Sequence, residues 1–566
     1  MAEAVRTAEL RVLDGPNVYF PRPAIKLTLE VPGWLRASEE RAARAAQAAG
    51  VTGAEAGAPG GERRLRLAAR VAVQLARRIA RATGTGRLAV RGRVGPEPGQ
   101  IVVAFPWRRR EAAEALARAI ADATGAVLRR SADRLVAELA AEVERVDPGP
   151  EPAVPDPEVP VVQVTGTNGK TTTTRLLAHL VAVAGLRVAY SSTDGVYRNG
   201  RRVVEGDYSG FAGAETALEQ RPDVAVLETA RGGILLRGIG VLHNDVAVVT
   251  NVSADHLGLH GITTVDQLAE VKATITRITR PQGWAVLNAD DPRVLAMRRV
   301  ATGRPWLFTL DPGHPALRDV LAEDGRAMTV LDGTIVWIDG HAVHPLVQIE
   351  RVPVTLSGIS GIYTQNALAA AAAGLAVGLR PADVARGLRT FVPDPKVNPG
   401  RSNLFSLDRR IVVLDYAHNE AGMDGLVEIL GGLRAPGSEI WLAICTAGDR
   451  TDRILEGFAL RAALGADHLA ISELVQYLRG RSREDIVDHL RRGAARAGKR
   501  DVPVYRDEMR ALRSMLEASA PGDVVSVTAL GQRPQAFRWL RDKGARQLGP
   551  GDVRRLARRA RGGSSG

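Results

Sequence analysis

Residues 161–174 read VVQVTGTNGKTTTT. Val161 to Val164 form a short apolar run, the pattern of a buried strand. Thr165 to Gly169 form a tight turn, and Lys170 with Thr171–Thr174 opens a helix through Leu176, Leu177, Leu180 and Val183. A strand, a glycine turn, a Lys-Thr pair and a helix make a cradle for phosphate: backbone N–H groups of the turn and the helix N-terminus face the anion. Gly166, Thr167, Asn168, Gly169, Lys170, Thr171 and Thr172 are the candidate phosphate-binding residues, with the Lys170 amine directed at the terminal phosphates and the Thr171 hydroxyl at Mg²⁺. The glycine spacing is short, because Val164 stands where the longer motif has its first glycine. A plain glycine-rich turn with a surface lysine is the competing reading; the flanking strand and helix favour the cradle.

Working outward, residues 161–300 alternate short apolar strands (LRVAYSST, DVAVLETA, DVAVVTNVS, GWAVLNAD) with helical stretches, which predicts a doubly wound, mostly parallel α/β sheet. Such sheets bind ligands at the carboxyl ends of their strands. Glu228, at the end of DVAVLETA, is a candidate second Mg²⁺ ligand beside Thr171. Asn251, Asp255 and His256 follow the next strand, Lys272 lies on a helix beyond it, and Asn288 ends another. Residues 305–356 read as a β-rich excursion at the sheet edge, and 361–379 as a close-packed helix of small residues.

The remainder divides around this unit. Residues 1–147 read as an N-terminal α+β domain in which two strands flank a Gly15-Pro16-Asn17 turn and a helix spans 63–82. Arg66, Arg70, Arg77 and Arg81 line one face of that helix, as a solvated row or as a docking patch for an acidic substrate. Residues 148–160, PGPEPAVPDPEVP, form a Pro-rich linker. The central domain is assigned to 161–395 and a smaller C-terminal α/β domain to 396–555, with Asp415 and His418 after its first strand and Asp449 and Arg450 after its second. Residues 556–566 read as a disordered tail.

Bulk composition narrows the function classes. A chain of 566 residues with 45% hydrophobic and 25% charged side chains is a globular protein of two to four domains. It has no apolar run of membrane-spanning length and no apolar signal core at its start, so a cytoplasmic protein without a membrane partner is expected. One cysteine, Cys445, excludes an internal disulfide framework and a cysteine metal site. The net charge is +13, and only six of the 76 basic residues are lysine. Arginine therefore supplies surface charge, and lysines are notable for their amines. The balance suits anionic ligands. With 4% aromatics and no zinc-finger spacing, nucleic acid is disfavoured.

GTNGKTT, Glu228, DH at 255–256, Lys272, LNADDP, the Asn366 helix, NPGR, DYAHN at 415–419 and GDR at 448–450 occur in that order. This series resembles the Mur ligase superfamily over residues 160–555. Within it the chain is most similar to the ligase half of the cyanophycin synthetases, and LDGPNVYF resembles the start of their N-terminal domain. Two features depart from that pattern. A short linker stands where those enzymes carry an ATP-grasp domain, and the helix 63–82 has Arg, Val and Gln where theirs is rich in His and Glu.

The resemblance implies ATP- and Mg²⁺-dependent amide bond formation through an acyl phosphate. It implies Lys170 at the phosphates, Thr171 and Glu228 on one metal, and His256 on a second. Lys272 matches a lysine that many members carbamylate. Asn288 would face the adenine, Arg401 the phosphates and Asp415 the ribose, and His418, Asp449 and Arg450 the incoming amino acid. The implied partners are an anionic peptide or polymer acceptor, a free amino acid such as arginine, a separate ATP-grasp enzyme and, by resemblance alone, further copies of the chain. A ligase for another acceptor, a nucleotide-holding subunit and a basic nucleic-acid-binding NTPase are the competing functions.

Overall fold

The computed structural model describes residues 5–53 and 55–562. Three sheets follow one another along the chain. The first is antiparallel, with β1 (Arg6–Leu13), β2 (Ala24–Glu30), β3 (Arg91–Val94) and β4 (Gln100–Pro106) in the order β1-β2-β4-β3. Alternation along β4 covers both of its faces. Ile101, Val103 and Phe105 pack under the helices Glu62–Ala82, Arg110–Ala126 and Ala132–Glu144, while Val102 and Ala104 join the core of the next sheet.

The junction with that next sheet is tight. The N–H of Gly15 donates to Arg237 O at 3.1 Å, and the N–H of Ile239 donates to Pro16 O at 2.7 Å. A Cβ on Gly15 would come within 1.8 Å of Ile239 O, so this contact requires glycine. Asn17 is buried and ties the turn together, accepting from the N–H groups of Tyr19 and Phe20. The Pro-rich linker runs along both units, Pro150 O accepting from Arg110 N–H and Pro155 O from Leu242 N–H.

The second sheet has eleven strands: β5 (Val161–Thr165), β6 (Val188–Ser192), β7 (Gly195–Arg198), β8 (Arg201–Glu205), β9 (Val224–Glu228), β10 (Asn244–Val249), β11 (Thr279–Asn288), β12 (Arg304–Phe308), β13 (Arg326–Leu331), β14 (Thr334–Asp339) and β15 (Ala342–Gln348). Their order is β15-β14-β13-β12-β11-β10-β5-β9-β6-β7-β8. The seven strands from β13 to β6 are parallel, and antiparallel hairpins extend both edges. Val162 and Val164 face the helices Lys170–Val183 and Gly361–Ala376, and Val161 faces the opposite layer. In the helix Gly361–Ala376, Leu368 and the six alanines Ala367 and Ala369–Ala373 are fully buried, the alanines allowing close packing on every side.

The third sheet comprises β16 (Asn403–Leu407), β17 (Arg410–Asp415), β18 (Ile440–Ile444), β19 (His468–Ser472), β20 (Val504–Tyr505), β21 (Val524–Thr528) and β22 (Arg546–Gln547), in the order β20-β19-β18-β21-β17-β16-β22. Its strands β20 to β17 are parallel. The expected disordered tail is corrected. Pro550–Gly562 is a helix, because Val553 and Ala557 bury an apolar face and Arg558 pairs with Glu350 at 3.2 Å. Residues 563–566 lie outside the described residues. No described helix is long and apolar enough to cross a membrane.

Candidate active site

The carboxyl ends of β9, β5 and β10 face those of β18, β21 and β17 across a cavity of about 890 Å³. Gly166 sits at φ 152° and Gly169 at φ 87°. A Cβ at Gly166 would lie 1.9 Å from Thr250 Oγ1, and one at Gly169 would lie 2.2 Å from Asn366 Oδ1, so both must be glycine. The neighbouring strand end pins the loop. Thr167 N–H donates to Asn251 O at 2.9 Å, Asn168 N–H to Asn251 Oδ1 at 2.9 Å, and Thr250 Oγ1 to Asn168 O at 2.6 Å.

Two lysines converge on this loop. Lys170 Nζ donates to the carbonyls of Gly166 and Thr167 at 3.0 and 2.9 Å, and Lys272 Nζ donates to Gly166 O at 2.6 Å. Burial lowers the Lys170 pKa, and burial together with the Lys170 charge holds Lys272 well below the usual lysine range.

Beside them, Thr171 Oγ1 donates to Glu228 Oε1 at 3.1 Å, while the buried Glu228 Oε2 has no hydrogen-bond partner. Burial raises the Glu228 pKa, against the pull of Lys170. A hydroxyl and an orphaned carboxylate oxygen are hard donors that fit Mg²⁺, which takes one or two protein oxygens and completes its octahedron from phosphates and water. Among the described residues no cluster of three or more His, Cys, Asp or Glu is arranged to hold a metal unaided.

Charged pairs close the cavity across the two sheets. Asp255 meets Arg450 at 3.2 Å and His418 at 3.7 Å, and His256 Nδ1 lies 3.0 Å from Asp449 Oδ2. Asn168 and Asn419 exchange side-chain hydrogen bonds at 3.1 Å. Burial works to raise the pKa of both Asp255 and Asp449, but the surrounding His and Arg groups hold them well below the carboxylate range. His256 adopts a left-handed backbone, φ 51°, and its carbonyl accepts from Arg231 at 2.7 Å. That conformation turns its ring into the cavity beside Asp255.

Two expected positions are corrected. Asn288 does not line the cavity; it is buried beneath it, where Nδ2 donates to Thr250 O at 2.8 Å and Oδ1 accepts from Asp290 N–H. It therefore braces the strand end that holds the phosphate loop. Asp449 does not line the cavity either, and its carboxylate is already taken by Arg450, Arg479 and His256. It is a tie between sheets and not an open seat for a cationic substrate. His418 and Arg450 do line the cavity, as do Arg401 and Asp415. Both Asp415 oxygens are engaged, accepting from Ser402 N–H and Oγ and from Ala417 N–H.

Sequence reading missed an apolar slot. Ile362, Tyr363, Leu426 and Ile429 line it, between the helices Gly361–Ala376 and Glu420–Leu433. The signal was Gly422 and Gly425, one turn apart on the second helix. A Cβ on Gly425 would lie 2.3 Å from Ile362 Cδ1.

The cradle, the lysine pair and the facing sheets define an α/β protein with a phosphate-loop cavity between two parallel sheets. The sequence model of the Mur ligase middle domain matches residues 164–374, and that of the Mur ligase glutamate ligase domain matches residues 400–531. The diaminopimelate-adding Mur ligase of Alkalilimnicola ehrlichii, UDP-N-acetylmuramoyl-L-alanyl-D-glutamate--2,6-diaminopimelate ligase, is 30% identical over 480 residues, 77% of this chain and 88% of that protein. The chain belongs to the Mur ligase family. Cyanophycin synthetase of Crocosphaera subtropica is 37% identical over 371 residues, 65% of this chain and 42% of the relative, so this chain spans about two fifths of the cyanophycin synthetases it matches. The solved bifunctional folylpolyglutamate synthase/dihydrofolate synthase with Mn, AMPPNP and L-glutamate bound shares the fold, with a TM-score of 0.51 at 20% identity over 69% of this chain and 90% of that one.

Proposed function

We propose that this protein is an ATP- and Mg²⁺-dependent amide ligase that joins an amino acid such as arginine to a carboxylate of an aspartyl peptide or cyanophycin-like polymer. The observation that carries it is the orphaned Glu228 Oε2 beside the Thr171 hydroxyl, at the mouth of a loop that also presents Lys170. A nucleotide-holding subunit need not keep Lys170, Glu228, His256 and Lys272 together; phosphoryl transfer uses such a set of charges.

In this reading the loop 166–172 binds the β- and γ-phosphates, and the slot of Ile362, Tyr363, Leu426 and Ile429 takes the base. Arg401 lies on the phosphate side. Mg²⁺, when bound by Thr171 and Glu228, supplies positive charge to the terminal phosphates. The acceptor carboxylate oxygen attacks the γ-phosphorus and ADP leaves. The amine of the second substrate then attacks the acyl carbon, inorganic phosphate departs, and the amine's proton passes to solvent or a nearby base. Lys170 offsets the charge that builds up as two anions approach. His418 and Arg450 face the entry side of the second substrate. The Asp255–Arg450 and His256–Asp449 pairs hold the two domains together over the acyl phosphate and exclude water. Lys272 has the low-pKa amine that carbamylation by CO₂ requires, matching the family lysine it resembles.

The test is phosphate release from ATP and Mg²⁺, screened with single amino acids against β-aspartyl peptides, beside a Lys170→Ala control. Release that needs both substrates and vanishes in the control is the expected result. ATP binding without turnover for any pair overturns the ligase reading in favour of a subunit that works with a separate ATP-grasp enzyme.

A further inference from the structure

A second cavity, about 410 Å³, lies in the first domain and shares no residue with the first. It runs between the helix Glu62–Ala82 and β3. Arg66, Arg70, Gln74 and Arg77 line it from the helix and Arg93 from the strand, and no Asp, Glu or aromatic side chain lines it. Arg81, the fourth member of the row in the sequence, does not reach it. The three helix arginines stand at i, i+4 and i+11, within roughly 40° of one another around a 3.6-residue helix. They form one ridge facing the strand. A Cβ on Gly92 of β3 would lie 2.6 Å from Val73 Cγ2, so strand and helix touch directly at the floor of the groove.

Two of the three helix charges there are uncompensated. Arg70 and Arg77 are exposed and have no ion pair or hydrogen bond among the described residues. Arg66 has only Glu62, at 2.6 Å, with both side chains about two-thirds exposed. Arg93 adds backbone and not free charge to the groove: its side chain is turned away from the helix, over the Tyr19 ring at 5.1 Å from its centroid, and donates to the Tyr19 hydroxyl at 3.0 Å. The outer edge of β3 pairs with no other strand.

We propose that this groove docks an extended acidic peptide, with alternate carboxylates on the arginine ridge and the chain laid along the free edge of β3. Arg66 and Arg70 are separated by a rise of ~6 Å, and side chains on one face of an extended chain recur every ~6.8 Å. The ridge to Arg77 spans ~16 Å, the length of about five extended residues. Edge strands accept added peptides through main-chain hydrogen bonds. A single-stranded nucleic acid meets no stacking platform here. A polymer carrying guanidinium side chains meets only like charge.

The experiment is fluorescence anisotropy of a labelled hexa-aspartate on the full chain, competed by unlabelled hexa-aspartate, inorganic tripolyphosphate and an oligo-dT. Saturable binding that weakens with salt, and at least tenfold in the double variant Arg70→Ala/Arg77→Ala, is the expected result. Tripolyphosphate or oligo-dT displacing the peptide at lower concentration than unlabelled hexa-aspartate overturns the peptide assignment. Equal affinity in wild type and double variant overturns the site. An Arg129→Ala variant, outside the groove, should keep full affinity; loss of binding there as well marks general charge attraction and overturns the proposal. Melting temperature and ATP-dependent phosphate release are measured on the same proteins. The melting temperature should not change in the double variant, and peptide binding is read without ATP, so this result stands apart from the ligase assay.

Discussion

The two cavities use positive charge in opposite ways. In the large one, Lys170 and Lys272 are buried, hydrogen-bonded to backbone carbonyls, and shifted toward the neutral amine. In the small one, arginines stand exposed to solvent. A desolvated amine interacts strongly with an arriving phosphate and costs stability until it arrives. An exposed guanidinium binds weakly and is screened by salt. The first arrangement suits chemistry and the second suits docking. The largest effect expected from this contrast is Lys170→Ala, which should lower ATP-dependent phosphate release by about 10²–10³ without lowering the melting temperature. Loss of activity together with a lower melting temperature would mean the lysine holds the loop together instead.

Glu228→Gln sharpens the same point on the acidic side. It keeps the Thr171 hydrogen bond through the amide oxygen and removes the anionic oxygen now left without a partner. Activity is expected to fall by about 10², with the Mg²⁺ midpoint moved to higher concentration. An unchanged Mg²⁺ titration would remove Glu228 from the metal site.

The ties between domains come next. Asp449→Asn leaves His256 and Arg479 without their anion, and truncating one partner of a buried charged pair costs about 2–5 kcal/mol. A drop of roughly tenfold to a hundredfold in kcat/KM is expected. The pH dependence has a definite sign. Asp255 and Asp449 are held below the ordinary aspartate range of about 3.9. Their contribution to stability is therefore complete above that range and is lost as pH falls through the depressed folded values. The melting-temperature gap between wild type and Asp449→Asn should narrow as pH falls below about 4. A gap that is flat through that window would mean the carboxylate is not ion-paired in solution.

The phosphate loop was legible in the sequence because its determinants are local. Two glycines, a lysine and a threonine follow a short, mostly apolar run, and the backbone angles at Gly166 and Gly169 demand the glycines. The parallel sheet was legible from the alternation of strands and helices. Asp449 was misread because a motif reports proximity to a site and not the partners that neutralise a charge; Arg479 lies thirty residues away in the chain. Asn288 was misread for a related reason, since a strand-end amide can line a cavity or brace its wall, and only the position of Thr250 decides which. The apolar slot stayed hidden because it forms between helices about sixty residues apart, each of which reads on its own as ordinary packing. The helical tail was lost to its arginines, which look solvated until Val553 and Ala557 are seen to share a buried face.

The smallest effect expected is also the one that separates charge placed for catalysis from charge placed for stability. Lys272 is buried, and its folded pKa lies well below the ordinary 10.5. For a lysine shifted in that direction the folded state binds the proton less well than the unfolded chain. The buried amine therefore opposes folding at every pH below 10.5, most strongly below its folded pKa, and the penalty fades as pH rises toward the unfolded value. Lys272→Met fills a similar volume without a charge to desolvate. It should raise the melting temperature at pH 7, by a margin that shrinks as pH approaches 10. Melting curves of both proteins from pH 6 to 10, run without added bicarbonate, test this directly. A variant that melts below wild type at pH 7 would show that the hydrogen bond to Gly166 O outweighs the desolvation of the amine, and Lys272 would then be a structural brace for the phosphate loop.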